Sequence, residues 1–147
     1  KITDQNYKSP KTLIHYLVKA AGRNANLLMN IGPQPDGCLP EVAIERLKKV
    51  GEWMNIYGET IYGTRGGIIQ PHDWGVTTQK QNRLFVHILN LKDKALYLPT
   101  GNTRIKKAVD FVSRKQVRMQ KCDGGVVLYL DQVPTDVDKV VELEMAK

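Results

Sequence analysis

At 147 residues, with apolar and charged fractions of 41% and 25%, the chain has room for one sizeable core and the composition of an ordinary globular protein. No apolar run approaches the roughly 18–20 residues that cross a bilayer, so no membrane span is expected. The formal charge of +7 is uneven: Lys80 to Lys121 hold eleven Lys or Arg against two Asp, a net of +9, which leaves 7 − 9 = −2 for the rest.

The start, Lys1-Ile2-Thr3-Asp4-Gln5-Asn6, is neither a signal peptide nor a beginning at methionine. Ser9 before Pro10 opens a helix, because the hydroxyl caps and proline at the first position loses no needed donor. Leu13, Ile14, Leu17, Val18 and Ala21 follow at helical spacing, and Gly22 is its stop. From Asn26 to Gly32 the residues read Asn-Leu-Leu-Met-Asn-Ile-Gly, a nearly continuous apolar run suited to a parallel strand covered on both faces. Asn26, Leu28 and Asn30 would share one face of it, and Leu27, Met29 and Ile31 the other. The loop Pro33 to Leu39 leads to a second helix from Pro40 to Tyr57, with Ile44, Leu47, Val50 or Gly51, Trp53 or Met54, and Tyr57 along one side and Gly58 as a left-handed stop. A parallel strand needs neighbours, and none of that kind lies nearby. The first ~65 residues therefore read as the closing part of a larger α/β domain, in a chain that is incomplete.

Period and composition change in the glycine-rich stretch Gly63 to Gly75. Beyond it, short strands are expected near Val76–Gln79, Leu84–Asn90, Ala95–Leu98, Ile105–Val112, Gln116–Lys121, Val126–Leu130 and Val140–Met145, with Asp123-Gly124-Gly125 as a hairpin turn. That spacing indicates an antiparallel sandwich or barrel. Basic and apolar residues alternate from Lys115 to Lys121, which makes the excess charge the solvated face of a sheet rather than a nucleic-acid surface, since no stacking aromatics interleave.

Few residues suggest chemistry. Cys38 and Cys122 are two, far apart, and form no disulfide framework. His15, His72 and His87 share no metal-ligand spacing with each other or with the cysteines, so neither a metal nor a cofactor is expected. Nothing brings Glu59, His72 and Asp73 together as a catalytic group, and Glu59 reads as holding the helix exit through backbone bonds. Trp53 and Tyr57 read as core, and Trp74 as packing between the two halves. Asn30 is either a donor facing the mouth of a site or a buried amide satisfied by backbone. Gln34 and Asp36 sit in a loop where Asp-Gly is also ordinary turn chemistry.

The run from Ser9 to Gly63, with Leu13-Ile14 and Leu17, Asn26-Leu27-Leu28-Met29-Asn30-Ile31-Gly32-Pro33, Asp36-Gly37, Gly51-Glu52-Trp53 and Tyr57-Gly58-Glu59-Thr60-Ile61-Tyr62-Gly63, resembles the end of the catalytic domain in α-L-fucosidases of glycoside hydrolase family 29. The likeness covers the first 65 or so residues, and the remainder resembles that family's C-terminal β-sandwich only in position and character. One departure is Asn24-Ala25-Asn26, where the family usually has two glycines before the asparagine of Asn26.

The resemblance implies an α/β then all-β fold. Residues 1–66 would be the last strand-helix part of a (β/α)8-like barrel, and residues 67–147 an antiparallel β-sandwich. It also implies a retaining exo-glycosidase acting on terminal α-L-fucosides through an aspartate nucleophile and a carboxylic acid/base. Neither residue maps onto this chain, so its catalytic set is empty and the chain alone should be inactive. Its partners would be a fucosylated glycan and the upstream part of the same polypeptide, in a secreted, periplasmic or lysosomal setting. Asn30, Gln34 and Asp36 are then the candidate active-site rim, because loops after barrel strands form the active face. The competing reading is a non-catalytic module, glycan-binding or structural.

Overall fold

The computed structural model describes residues 6–147, so most of the opening stretch read above lies outside the described residues. Two helices, α1 (Pro10–Gly22) and α2 (Glu41–Tyr57), precede eight strands: β1 (Arg65–Gly66), β2 (Gly75–Lys80), β3 (Arg83–Ile88), β4 (Ala95–Leu98), β5 (Ile105–Asp110), β6 (Arg118–Cys122), β7 (Gly125–Tyr129) and β8 (Lys139–Met145). The strands form two antiparallel sheets, a five-stranded one ordered β1-β2-β3-β8-β5 and a three-stranded one ordered β4-β7-β6.

Alternation along the strands builds the layers. Leu84, Val86 and Ile88 of β3, with Val141 and Leu143 of β8, turn one face of the large sheet toward Leu96, Leu98, Val126 and Leu128 of the small one, and this is the sandwich core. The opposite face carries Val76 and His87, and there Ile14, Val18, Val50 and Trp53 of the helices pack. The molecule is therefore helices on sheet on sheet. Strand β3 is covered on both sides, and every residue from Leu84 to Ile88 is buried. Phe85 meets Phe111 edge-on at 5.9 Å, while Phe111 stacks on Tyr57 at 5.8 Å and Tyr57 on Trp53 at 5.1 Å.

Helix α1 begins as its sequence predicts: the Thr12 amide donates to the Ser9 hydroxyl at 3.1 Å, and Pro10 takes the first position. Its end is subtler. Gly22 is the last helical residue, and its lack of a side chain lets the helix lie on β2, since a Cβ there would stand 2.5 Å from Val76 Cβ. The left-handed residue is Asn24, at φ +56°, a conformation asparagine tolerates. Its Oδ1 accepts from the Gly66 amide at 2.7 Å and ties the helix exit to β1. The absence of a glycine pair before Asn26 is thus met by an asparagine that also makes a long-range bond.

Four expectations need correction. Residues 26–32 form no strand. Gly58 is right-handed (φ −54°, ψ −33°) and continues α2 into a 3-10 turn, Gly58–Thr60. A Cβ there would lie 2.8 Å from the Tyr62 ring, so close packing accounts for that glycine. Ile44 is exposed, the buried stripe of α2 being Ala43, Val50 and Trp53. Trp74 packs on the sandwich core and stacks on His72 at 5.7 Å, and is not among the side chains packed in the helix–sheet cluster.

Candidate functional site

Residues 25–34 leave α1 in an irregular course whose side chains alternate all the same. Leu27, Met29 and Ile31 are half-buried against the helical layer, while Asn26, Leu28 and Asn30 are exposed, Leu28 to 90%. The pattern of a strand is present without its ladder. A parallel strand bonds only to flanking strands, and among the described residues none lies beside this segment. The expected strand is absent for want of partners.

Below this segment, between it, α1 and α2, opens a cleft of about 540 Å³. Its lining is mostly apolar, with Leu13, Leu27, Met29 and Leu47, and Asn30 borders it. Asn30 is exposed in this chain. Gln34 and Asp36 stand outside the cleft and serve the following loop. The Gln34 amide donates to the Cys38 carbonyl at 2.7 Å, and Asp36 Oδ1 accepts from the Cys38 amide at 2.9 Å while Gly37 takes φ +83°. Of the three predicted residues only Asn30 lines the cleft; Asn30 and Asp36 are exposed and Gln34 is half-buried.

Sequence reasoning missed a polar chain sealed between the helices and the large sheet. The Thr78 hydroxyl donates to the Thr60 carbonyl at 2.6 Å, which commits its only proton. His87 Nε2, 3.0 Å from the same oxygen, must therefore be the donor to it. His87 Nδ1 meets Asp138 Oδ2 at 2.7 Å. The order Thr, His, Asp is that of a nucleophile with its base and orienting acid. Burial removes that use, because Thr60, Thr78, His87 and Asp138 are all at most 1% exposed and no substrate reaches them. The chain fastens the exit of α2 to β2, β3 and the approach to β8. Only the positions Thr78 and His87, diagonal neighbours on one face of a hairpin and two residues off register, carry a sequence-level hint of it.

A second missed cluster lies at the other end of the same sheet face. Arg83 Nε and Arg114 Nη1 each donate to Glu142, both at 2.6 Å, and Arg83 also reaches Glu59. Glu59 thus holds a side-chain ion pair, which corrects its assignment to backbone bonding. Burial alone would raise the Glu142 carboxyl, but the bonds from Arg83 and Arg114 outweigh it and hold it below the ordinary glutamate value. The Arg83 bond likewise lowers Glu59. Burial opposes the Lys139 bond at Asp110, and the bond prevails.

Carboxylates lowered by folding contribute stability in full above their unfolded values, near pH 4–4.5, and lose it as pH falls toward the folded ones. Glu142→Gln should cost about 2 kcal/mol at pH 7, and the difference from the parent chain should shrink by pH 3, as read by urea unfolding at both pH values.

Among the described residues no group of three or more His, Cys, Asp or Glu side chains is placed to hold a metal, and Cys38 and Cys122 are free and exposed. No described helix is long and apolar enough to cross a membrane.

Comparison with known proteins gives a consistent result. The sequence profile described as alpha-L-fucosidase matches residues 1–59. A plasma alpha-L-fucosidase from Rattus norvegicus is 35% identical over 92 residues, covering 59% of this chain and 20% of the relative. A tissue alpha-L-fucosidase from the same organism is 32% identical over 148 aligned positions, covering 90% and 29%. Alpha-L-fucosidase isoenzyme 1 from Paenibacillus thiaminolyticus superposes with a TM-score of 0.87 at 31% identity, over 99% of this chain and 36% of that one. The chain thus spans about a fifth to under a third of these curated relatives.

Proposed function

This chain belongs to the α-L-fucosidase family, and from that premise we propose that it is part of a retaining exo-glycosidase that removes terminal α-L-fucose from glycans. The observation that carries the reading is the extent of the likeness: nearly all of this chain aligns with a fucosidase, yet it accounts for little more than a third of that enzyme. Residues 1–66 are then the end of the catalytic barrel and residues 67–147 its C-terminal β-sandwich. The segment 26–32 is the last barrel strand, and upstream strands complete its ladder. Its exposed alternation and lack of partners support this.

In a retaining glycosidase two carboxylates ~5–5.5 Å apart divide the work. One attacks the anomeric carbon, while the other protonates the leaving oxygen and then activates water. Among the described residues no pair of carboxylates lines the cleft, and both are assigned to the upstream part. Asn30, Gln34 and Asp36 form the rim, where an amide, a second amide and a carboxylate offer hydrogen bonds to a sugar or its aglycone. The setting is secreted, periplasmic or lysosomal.

Covalent labelling tests this. Incubation of the full polypeptide with 2-deoxy-2-fluoro-fucosyl fluoride, followed by peptide mass mapping, should place the sugar on an aspartate upstream of residue 1. Attachment within residues 1–147, or no attachment, contradicts the reading.

A further inference from the structure

The cleft under residues 27–32 is apolar but not neutral. Lys8 and Arg46 line it with Tyr16, Leu27, Met29 and Ala43, and no Asp or Glu stands among its described lining residues. Arg46, on α2, has a buried Nε with no hydrogen-bond partner. Its one acid neighbour among the described residues is Glu45, 3.6 Å from Nη1 on a side chain that is 63% exposed. A guanidinium N–H taken out of water without an acceptor is costly, and native proteins rarely leave one so. Beside it Leu28 is 90% exposed and the extended segment lacks a ladder. The chain also accounts for only a fraction of the length of its relatives.

We propose that this cleft seats an apolar segment of the upstream polypeptide that carries one carboxylate, and that this carboxylate forms a buried ion pair with Arg46. The proposal rests on the reading of this chain as the end of a larger catalytic domain, and it names the chemistry of the contact. Charge complementarity selects the acid: among the described residues two cations and no anion line the cleft. The planar guanidinium fork suits a carboxylate held in two bonds. The apolar walls select the rest of the segment.

The test is thermal unfolding of the full polypeptide with Arg46→Met, which keeps the apolar stem, and Arg46→Lys, which keeps the charge. The titratable groups lining the cleft with Arg46 among the described residues are Lys8, Tyr7 and Tyr16, and Glu45 is its neighbour on its own helix, so each variant is repeated with Glu45→Gln. Arg46→Met should lower Tm by several degrees at pH 7, because an unpaired carboxylate is left buried. The gap should narrow as pH falls below about 4.5 and that carboxylate takes up a proton. Arg46→Lys should retain most of the stability, and the pattern should survive Glu45→Gln.

A gap independent of pH, equal losses for Met and Lys, or a pH effect that vanishes with Glu45→Gln overturns the proposal. So does a dimer, seen by sedimentation, that Arg46→Met dissociates, since the cleft would then seat a second copy. If Arg46→Met does not fold, a folded Arg46→Lys supports the ion pair and an unfolded one overturns it. Fucoside hydrolysis by the unmutated polypeptide separates the two readings: its absence alongside the pH-dependent gap removes the fucosidase assignment and leaves the ion pair standing.

Discussion

Replacing His87 by alanine is expected to cost the chain about 3–5 kcal/mol, the loss that follows when one member of a buried hydrogen-bonded pair is removed. His87 and Asp138 are 0% and 1% exposed and 2.7 Å apart, so Asp138 would be left deep in the protein with neither carboxyl oxygen bonded, its Oδ1 already lacking a partner. Thr78 would lose the donor to its lone pair as well. The missing ring also opens a cavity beneath the helices.

The two causes separate in a double variant. His87→Ala with Asp138→Ala removes the stranded acid along with the ring, so it should be more stable than His87→Ala alone despite the larger cavity. Guanidinium unfolding of the three chains measures both effects. A cost below about 1 kcal/mol for His87→Ala would show that the polar chain does not fasten the helices to the sheet.

Gly75→Ala should be comparably damaging for a different reason. Gly75 opens β2 opposite Ile88, with φ +153°, and a Cβ on it would stand 1.9 Å from the His87 carbonyl oxygen. The obstacle is backbone in a buried central strand, so no side chain can turn aside. The tight loop before it is closed by His72 N–H to the Gly75 carbonyl at 2.9 Å and Gly75 N–H to the His72 carbonyl at 3.1 Å. Relieving the clash means parting β2 from β3, and the loss should be about 3 kcal/mol or more. Gly37→Ala is the matched control: Gly37 is also at positive φ, +83°, but a Cβ there meets nothing within 4 Å. It should cost only the backbone strain, about 1–2 kcal/mol. Circular dichroism melts of the two variants rank them directly, and equal losses would contradict the packing argument.

Local signals were legible wherever the chain satisfies itself. Ser9 and Pro10 mark a helix start that the structure keeps, and Ala95–Leu98 is found with its predicted bounds. Asp123-Gly124 does make the β6–β7 turn, although only Gly124 takes a positive φ there. The β2–β3 turn, by contrast, is Gln81-Asn82 with Gln81 at φ +54°, and no glycine announces it. The sandwich was readable because alternation within a strand tells which face is buried. The helical layer on its far side was not, since that depends on which surface of the sheet the helices choose.

The candidate site shows the opposite limit. Alternation along residues 26–32 is legible and correct, but a strand is a relation between segments, and no described segment of this chain supplies the partner. The His87–Asp138 contact joins residues 51 positions apart, and no local pattern encodes that distance. The pairing of Glu59 with Arg83 was missed for the same cause, at a separation of 24.

The proposed function has this chain complete a fucosidase whose reacting carboxylates lie elsewhere in the polypeptide. It is tested most directly by assaying release of p-nitrophenol from p-nitrophenyl α-L-fucoside by the 147-residue chain and by the full polypeptide, at equal concentration. The account predicts steady turnover by the full polypeptide and none above the buffer rate by the chain alone. Turnover by the chain alone, or none by the full polypeptide, would contradict it.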